Sequence, residues 1–270
     1  MNERYGPADE GREAESTTGR ATSISGRLAY GWALLMAGLL LIFPGVPAIL
    51  VEWATRRFKV VYPVASFGAR VWLRLIGVRV TVKGHENLLP DRAYVLISNH
   101  RSYLDPPALL TSLKKRLGFI AKKELLRVPV LGQGMRYVNA IAIDRSNRTR
   151  AIQTMQEAAE KLRSGISFVV FAEGTRARPG QLLPFKKGGF YMALETGAAI
   201  VPVAIKNTDV LMGKGRSEAN AGTMEISILP AVETAGLSKD NDIEILIEKV
   251  HSLIAAELED TKGAKYVEAG

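Results

Sequence analysis

Residues 28–51 contain no charged side chain, and they follow a polar opening stretch rich in Gly, Ser, Thr and Glu. That contrast sets the first boundary. Residues 1–25 hold too little apolar surface to bury and read as a disordered tail. They do not read as a secretory signal, because the apolar run begins too late and has no short basic leader. Within the apolar run, Pro44-Gly45-Val46-Pro47 predicts the end of one helix and the start of another. The piece over 24–43 has roughly the 20 residues that a bilayer span needs. The piece over 46–60 is shorter and runs into Arg56 and Arg57. One span and a helical hairpin dipping into a single leaflet both fit. A buried core helix fits less well, since a small domain seldom needs so long an uninterrupted apolar stretch.

From Arg79 onward the pattern changes to short apolar runs rich in β-branched residues. They fall at 79–82, 93–98, 118–121, 140–143, 166–171, 200–205 and 224–228. Continuous apolar runs of this length suit strands covered on both faces. Helical periodicity alternates with them. Residues 148–163 put Ile152, Met155, Ala159 and Leu162 on one face and end before Gly165, and 242–258 align Ile243, Leu246, Val250, Leu253 and Ile254. The expectation is an α/β fold: a mixed, largely parallel sheet flanked by helices, preceded by an apolar helical hairpin at the membrane. The implied division is a tail (1–25), membrane-associated helices (26–76), an α/β domain (77–260) and a flexible tail (261–270). There is no internal repeat.

Charge sharpens the membrane reading. The net charge is +9, and no acidic residue lies between Glu52 and Glu86, while Arg56, Arg57, Lys59, Arg70, Arg74, Arg79 and Lys83 all do. A basic stretch beside an apolar one suits an anionic headgroup layer, although it also reads as a solvated face. No helix-turn-helix or aromatic-rich basic motif points to nucleic acid. With no cysteine in the chain, thiolate catalysis and Cys-ligated metal are excluded. The three histidines, His85, His100 and His251, lack metal-ligand spacing. No G-x-S-x-G elbow or P-loop is present, and Gly213-Lys214-Gly215 lacks the third glycine of a dinucleotide fingerprint.

Three constellations sit just past predicted strands, where catalytic groups gather. Asn99-His100-Arg101-Ser102-Tyr103-Leu104-Asp105 offers a histidine base with a carboxylate to orient it. Taken alone, it reads equally as a surface histidine beside a helix-capping Asp. Phe171-Ala172-Glu173-Gly174-Thr175-Arg176 offers a glycine turn and a planar guanidinium fork suited to phosphate, or merely a surface ion pair. Ile141-Ala142-Ile143-Asp144-Arg145 ends in a cation. Lys122, Lys186 and Lys187 also fall near strand ends that a parallel sheet would collect on one edge. Such convergence points to an anionic ligand of the phosphate class.

In order, these segments resemble the glycerolipid acyltransferase family, the lysophosphatidate-acyltransferase-like proteins. Residues 99–105 are similar to its N-H-x-x-x-x-D motif, and Ala121-Lys122-Lys123-Glu124-Leu125 to its A-K-x-E-L segment. Residues 141–145 resemble its motif ending I-D-R. Residues 171–176 resemble F-P-E-G-T-R, and Val201-Pro202-Val203 its V-P-V motif. The resemblance runs from about residue 77 to 206, with Ala172 standing where the family has proline. It implies transfer of a fatty acyl group from acyl-CoA or acyl carrier protein to the free hydroxyl of 1-acylglycerol 3-phosphate, giving phosphatidic acid. It implies His100 as base, Asp105 as its orienting partner, and Lys122, Arg145 and Arg176 on the acceptor phosphate. Glu173, Gly174 and Thr175 would shape the acceptor pocket. No metal or cofactor is required beyond the thioester co-substrate. The implied setting is the cytoplasmic face of the cell membrane, on a phospholipid surface, with no nucleic acid. Acylation of glycerol 3-phosphate, another lysophospholipid or a lyso-aminolipid is the alternative. A lipid hydrolase and a membrane-surface binding module are further ones.

Overall fold

The computed structural model describes residues 23–55, 59–143 and 148–259. Of the expected tails, 1–25 and 261–270, residues 23–25 are described and begin the first helix, while the rest lie outside the described residues, as do Arg56, Arg57, Asp144 and Arg145. The Ser23 side chain accepts the Gly26 N–H at 2.9 Å and caps the first helix. That helix is continuous from Ile24 to Thr55: α1 (Ile24–Leu40), a π-turn (Leu41–Gly45) and α2 (Val46–Thr55). The expected break at Pro44 does not occur. Pro44 falls inside the π-turn, whose wider ring absorbs the missing N–H and the bulk of the pyrrolidine.

The second arm of the hairpin is therefore a separate helix, α3 (Val61–Leu75). Its Pro63 lies in the first turn, where a missing N–H costs nothing. Three contacts fix the arms as antiparallel. Glu52 accepts the Val61 N–H at 2.8 Å, the Trp72 indole donates to the Ala33 carbonyl at 2.8 Å, and the Trp32 indole donates to the Leu75 carbonyl at 3.2 Å. Two indole N–H groups satisfied this way let both rings pack without stranding a donor.

The remaining elements are β1 (Val78–Lys83), β2 (Val95–Ser98), α4 (Asp105–Ser112), β3 (Leu117–Lys122), α5 (Leu131–Tyr137), β4 (Ala140–Ile143), α6 (Arg148–Arg163), β5 (Ser167–Phe171), α7 (Gly188–Thr196), β6 (Ile200–Lys206), α8 (Thr208–Met212), β7 (Gly222–Ile228) and α9 (Ile243–Glu259). All seven strands form one sheet in the order β1-β7-β6-β2-β5-β3-β4. The five strands from β6 to β4 are mutually parallel, while β7 runs antiparallel to β6 and carries β1 parallel to itself. The expected mixed, largely parallel sheet is observed.

Alternation along β2 divides the core. Leu96 joins Val169, Val201, Leu104 and Ala108 on the face covered by α3, α4 and the start of α1. Val95 and Ile97 join Phe168, Phe190, Ala159 and Val250 on the face covered by α6, α7 and α9. With both faces covered, the central strands are buried end to end, as their unbroken apolar runs require. The α6 face differs from expectation. Ile152 is exposed, and Thr154, Ala158, Ala159 and Leu162 point inward. The sheet brings the carboxyl ends of β6, β2, β5, β3 and β4 to one edge.

Candidate active site

At that edge Asn99 leaves β2 and binds the neighbouring strand with both ends of its amide. Its Nδ2 donates to the Ile205 carbonyl at 2.8 Å, and its Oδ1 accepts the Ile205 N–H at 2.7 Å. The residue that follows is thereby fixed relative to two strands. The His100 backbone N–H donates to Glu173 Oε1 at 2.7 Å, and its carbonyl accepts the Ala177 N–H at 2.8 Å. Its ring lies on Phe171 with centroids 4.1 Å apart.

His100 Nδ1 and Asp105 Oδ2 are 2.7 Å apart. The same Oδ2 accepts the backbone N–H groups of Arg101 (2.8 Å) and Ser102 (2.9 Å). Asp105 is fully buried and opens α4, where the helix dipole favours a carboxylate; Pro106 and Pro107 suit that first turn. With three N–H groups held by one oxygen, the carboxylate has a single orientation. Nδ1 is then the nitrogen that carries the proton, which leaves Nε2 free to accept one.

Glu173 is 2% exposed. Its second oxygen accepts the Leu183 N–H at 2.9 Å, so it ties the His100 loop to the segment before α7. Burial raises its pKa above the ordinary 4.5, against the opposing pull of the His100 and Leu183 N–H groups and the charge of Arg101. Gly174 adopts φ +71°, and a side chain there would meet the Lys186 stem at 2.9 Å. Ala172 uses the N–H that a proline would lack, donating to the Ser98 carbonyl at 3.3 Å. The Arg176 guanidinium lies 3.6 Å over the Tyr103 ring, so its plane is set by a residue of the His100 loop.

The expected site residues do not all meet. His100, Asp105, Glu173, Gly174 and Arg176 share one pair of loops. Thr175 is exposed beside them. Lys122 ends β3, two strands from β2 and so about 10 Å along the edge. Its side chain is 56% exposed and faces Glu124 at 3.7 Å. Lys187 pairs with Glu244 on α9. Among the described residues, no group of three or more His, Asp or Glu side chains is arranged to hold a metal. Residues that spacing alone did not mark are Arg101, Tyr103, Asp209 and Lys214. Asp209 returns from more than a hundred residues along the chain to face Arg101, and Lys214 reaches the Arg176 carbonyl.

Replacing Glu173 by Gln tests its role as a tie. The amide keeps one acceptor and turns an NH2 toward the other backbone N–H, so stability should fall by about 1–3 kcal/mol. A raised folded pKa means that the proton is held more tightly in the folded state. The associated stability is complete below 4.5 and lost as pH rises through the raised value. The Tm difference between wild type and the Gln variant should therefore shrink from pH 4 toward neutrality. A difference that stays constant with pH would contradict this.

A family model described as acyltransferase matches residues 79–206. Among curated relatives, 1-acyl-sn-glycerol-3-phosphate acyltransferase alpha of Homo sapiens is 36% identical over 182 residues, covering 67% of this chain and 64% of that protein. The match thus spans less than two thirds of the human relative. The 1-acyl-sn-glycerol-3-phosphate acyltransferase of Limnanthes douglasii is 30% identical over 233 residues, covering 85% of this chain and 77% of the plant protein. The crystal structure of the 1-acyl-sn-glycerophosphate (LPA) acyltransferase PlsC from Thermotoga maritima superposes with a TM-score of 0.77 at 30% identity, covering 89% of this chain and 97% of that one. The chain belongs to the glycerolipid (lysophosphatidate) acyltransferase family.

Proposed function

We propose that this protein transfers a fatty acyl group from an acyl thioester to the free hydroxyl of 1-acylglycerol 3-phosphate, giving phosphatidic acid. The observation that carries this reading is the His100–Asp105 pair, 2.7 Å apart on a loop that also stacks against Arg176. The names of the relatives support the acceptor. His100 Nε2 takes the proton of the acceptor hydroxyl as its oxygen attacks the thioester carbonyl. Asp105 stabilises the imidazolium that forms. The tetrahedral intermediate then collapses. Its C–S bond breaks, and the departing thiolate takes the proton back from His100. The acceptor itself is the nucleophile, so neither a serine elbow nor a cysteine is needed. The donor is a thioester of coenzyme A or of acyl carrier protein.

Arg176 holds the acceptor phosphate in this scheme, with Lys122 at the sheet edge and Arg145 as further sources of positive charge. Glu173, Gly174 and Thr175 form the wall of the acceptor site. Backbone N–H groups of these loops would stabilise the developing oxyanion.

In this reading the site rests on the bilayer, at its cytoplasmic face, and the apolar hairpin supports the membrane setting. The helix Ile24–Thr55 is 32 residues long and apolar enough to cross a membrane, with only 6% of its most apolar stretch buried. Leu28, Phe43, Trp53 and Phe67 are exposed on its two arms. Acyl chains entering from the bilayer avoid a transfer through water that costs about 0.8 kcal/mol per CH₂.

The test is to incubate purified protein on phospholipid vesicles with lysophosphatidate and, separately, each donor type, then identify the lipids by mass spectrometry. Phosphatidic acid is the expected product. Free fatty acid without a diacyl product would make the protein a hydrolase. Acylation only of glycerol 3-phosphate or another lysolipid would move the acceptor.

A further inference from the structure

The Gly213-Lys214-Gly215 segment, which no dinucleotide motif absorbs, follows α8 and lies against the His100–Asp105 loop. Ser102 and Gly213 form an antiparallel bridge, and the Ser102 hydroxyl donates to the Met212 carbonyl at 2.6 Å. A second clamp closes from α8. Asp209 accepts the Gly180 N–H at 2.9 Å and faces Arg101 at 3.6 Å, while Arg101 Nε donates to the Gln181 carbonyl at 2.9 Å. The close approach at Gly213, where a Cβ would sit 2.2 Å from the Asp209 carbonyl oxygen, leaves room only for glycine. This scaffold delivers Lys214 Nζ to within 2.7 Å of the Arg176 carbonyl oxygen.

From this placement we infer that Lys214 is a further acceptor-binding residue, a second cation beside Arg176 that takes the phosphate of the lysolipid. The inference rests on the reading of Arg176 as the phosphate-binding fork. An ammonium has three N–H donors, and the carbonyl takes one of them. Among the described residues no carboxylate lies within ion-pair distance of either Lys214 or Arg176. The two buried carboxylates nearby are committed elsewhere, Asp209 to Arg101 and the Gly180 N–H, Glu173 to the His100 and Leu183 N–H groups. An arriving dianion would supply the counter-charge that neither cation has within ion-pair distance. A tether for a carbonyl would need only a neutral donor. A phosphomonoester, with its double charge and several acceptor oxygens, matches the pair.

The experiment compares Lys214→Gln, Lys214→Met and Lys214→Arg with wild type and Arg176→Ala, all as full-length protein on vesicles. The readouts are KM for lysophosphatidate, kcat, Tm and the salt dependence of KM. Loss of the charge should raise KM about tenfold, with a much smaller effect on kcat. The salt dependence should weaken in both charge-free variants, and Lys214→Arg should recover most of the affinity. Lys214 lies on a half-exposed loop, so Tm should move little; should the Gln variant fold poorly, the Met variant carries the test. If the charge-free variants keep the wild-type KM while Arg176→Ala raises it, Lys214 is only a tether and the proposal falls alone. If Arg176→Ala also leaves KM unchanged, the phosphate reading of Arg176 falls and Lys214 with it.

Discussion

His100→Ala should lower the rate of acyl transfer by roughly 10²–10⁴-fold, the range that a positioned general base contributes. The loss should appear in kcat, because nothing in the geometry gives the imidazole a share in binding the acceptor phosphate. The ties that shape the loop use the residue's backbone. Its N–H goes to Glu173 and its carbonyl to Ala177, and neither depends on the side chain. What the variant gives up structurally is the stacking on Phe171 and one hydrogen bond to Asp105. Folding and vesicle binding should therefore survive. The check is kcat with both substrates saturating, alongside Tm and vesicle co-sedimentation. Near-normal turnover in a folded variant would remove the base assignment.

Asp105→Asn should cost a comparable factor for a different reason. Asp105 Oδ2 accepts three N–H groups at once, from His100 Nδ1, Arg101 and Ser102. If the amide oxygen of Asn faces them, the imidazolium loses its negative partner. If the NH2 faces them, two backbone donors lose their acceptor, and the imidazole must shift its proton to Nε2, the atom required as base. Either arrangement lowers kcat by roughly 10²–10⁴-fold. Stability should fall by about 1–3 kcal/mol as well, since the site is fully buried. KM for the acceptor should stay near wild type. A variant with raised KM and intact kcat would place Asp105 in substrate binding instead.

How far the chain could be read in advance differs between its parts for physical reasons. The strands were legible because strands buried on both faces are spelled as unbroken β-branched runs, and β2 and β6 are of this kind. Their order was not. β1 at residue 78 pairs with β7 at residue 222, a partnership that local pattern does not encode. Pro44 misled because a proline is expected to end a helix, and a π-turn accommodates it without a break. The second hairpin arm, α3, was hidden by Arg70 and Arg74, which interrupt its apolar pattern. Their aliphatic stems still permit a packed face, with Leu73 buried and Trp72 bound to Ala33.

The site shows the same division. His100 and Asp105 lie five residues apart, so a turn joins them and the motif shows in the sequence. Glu173 and Arg176 follow a strand that pairs with the one before His100, and the parallel register brings both loops together. Lys122 carried the right charge at the right edge, but the sheet order sets it two strands away beside Glu124. Lys214 and Asp209 gave no signal, since only the fold of the β6–β7 connection brings Asp209 to Arg101 and Lys214 to the Arg176 carbonyl.

The measurement that goes most directly to the central claim is ¹⁵N NMR of the His100 imidazole in vesicle-bound protein at mildly alkaline pH, assigned by comparison with His100→Ala. The geometry predicts a neutral ring with its proton on Nδ1, held by Asp105, and a bare Nε2 ready to accept the lipid hydroxyl proton. In Asp105→Asn that preference should weaken or reverse. A wild-type ring protonated on Nε2 would contradict the account, because no base would then face the acceptor.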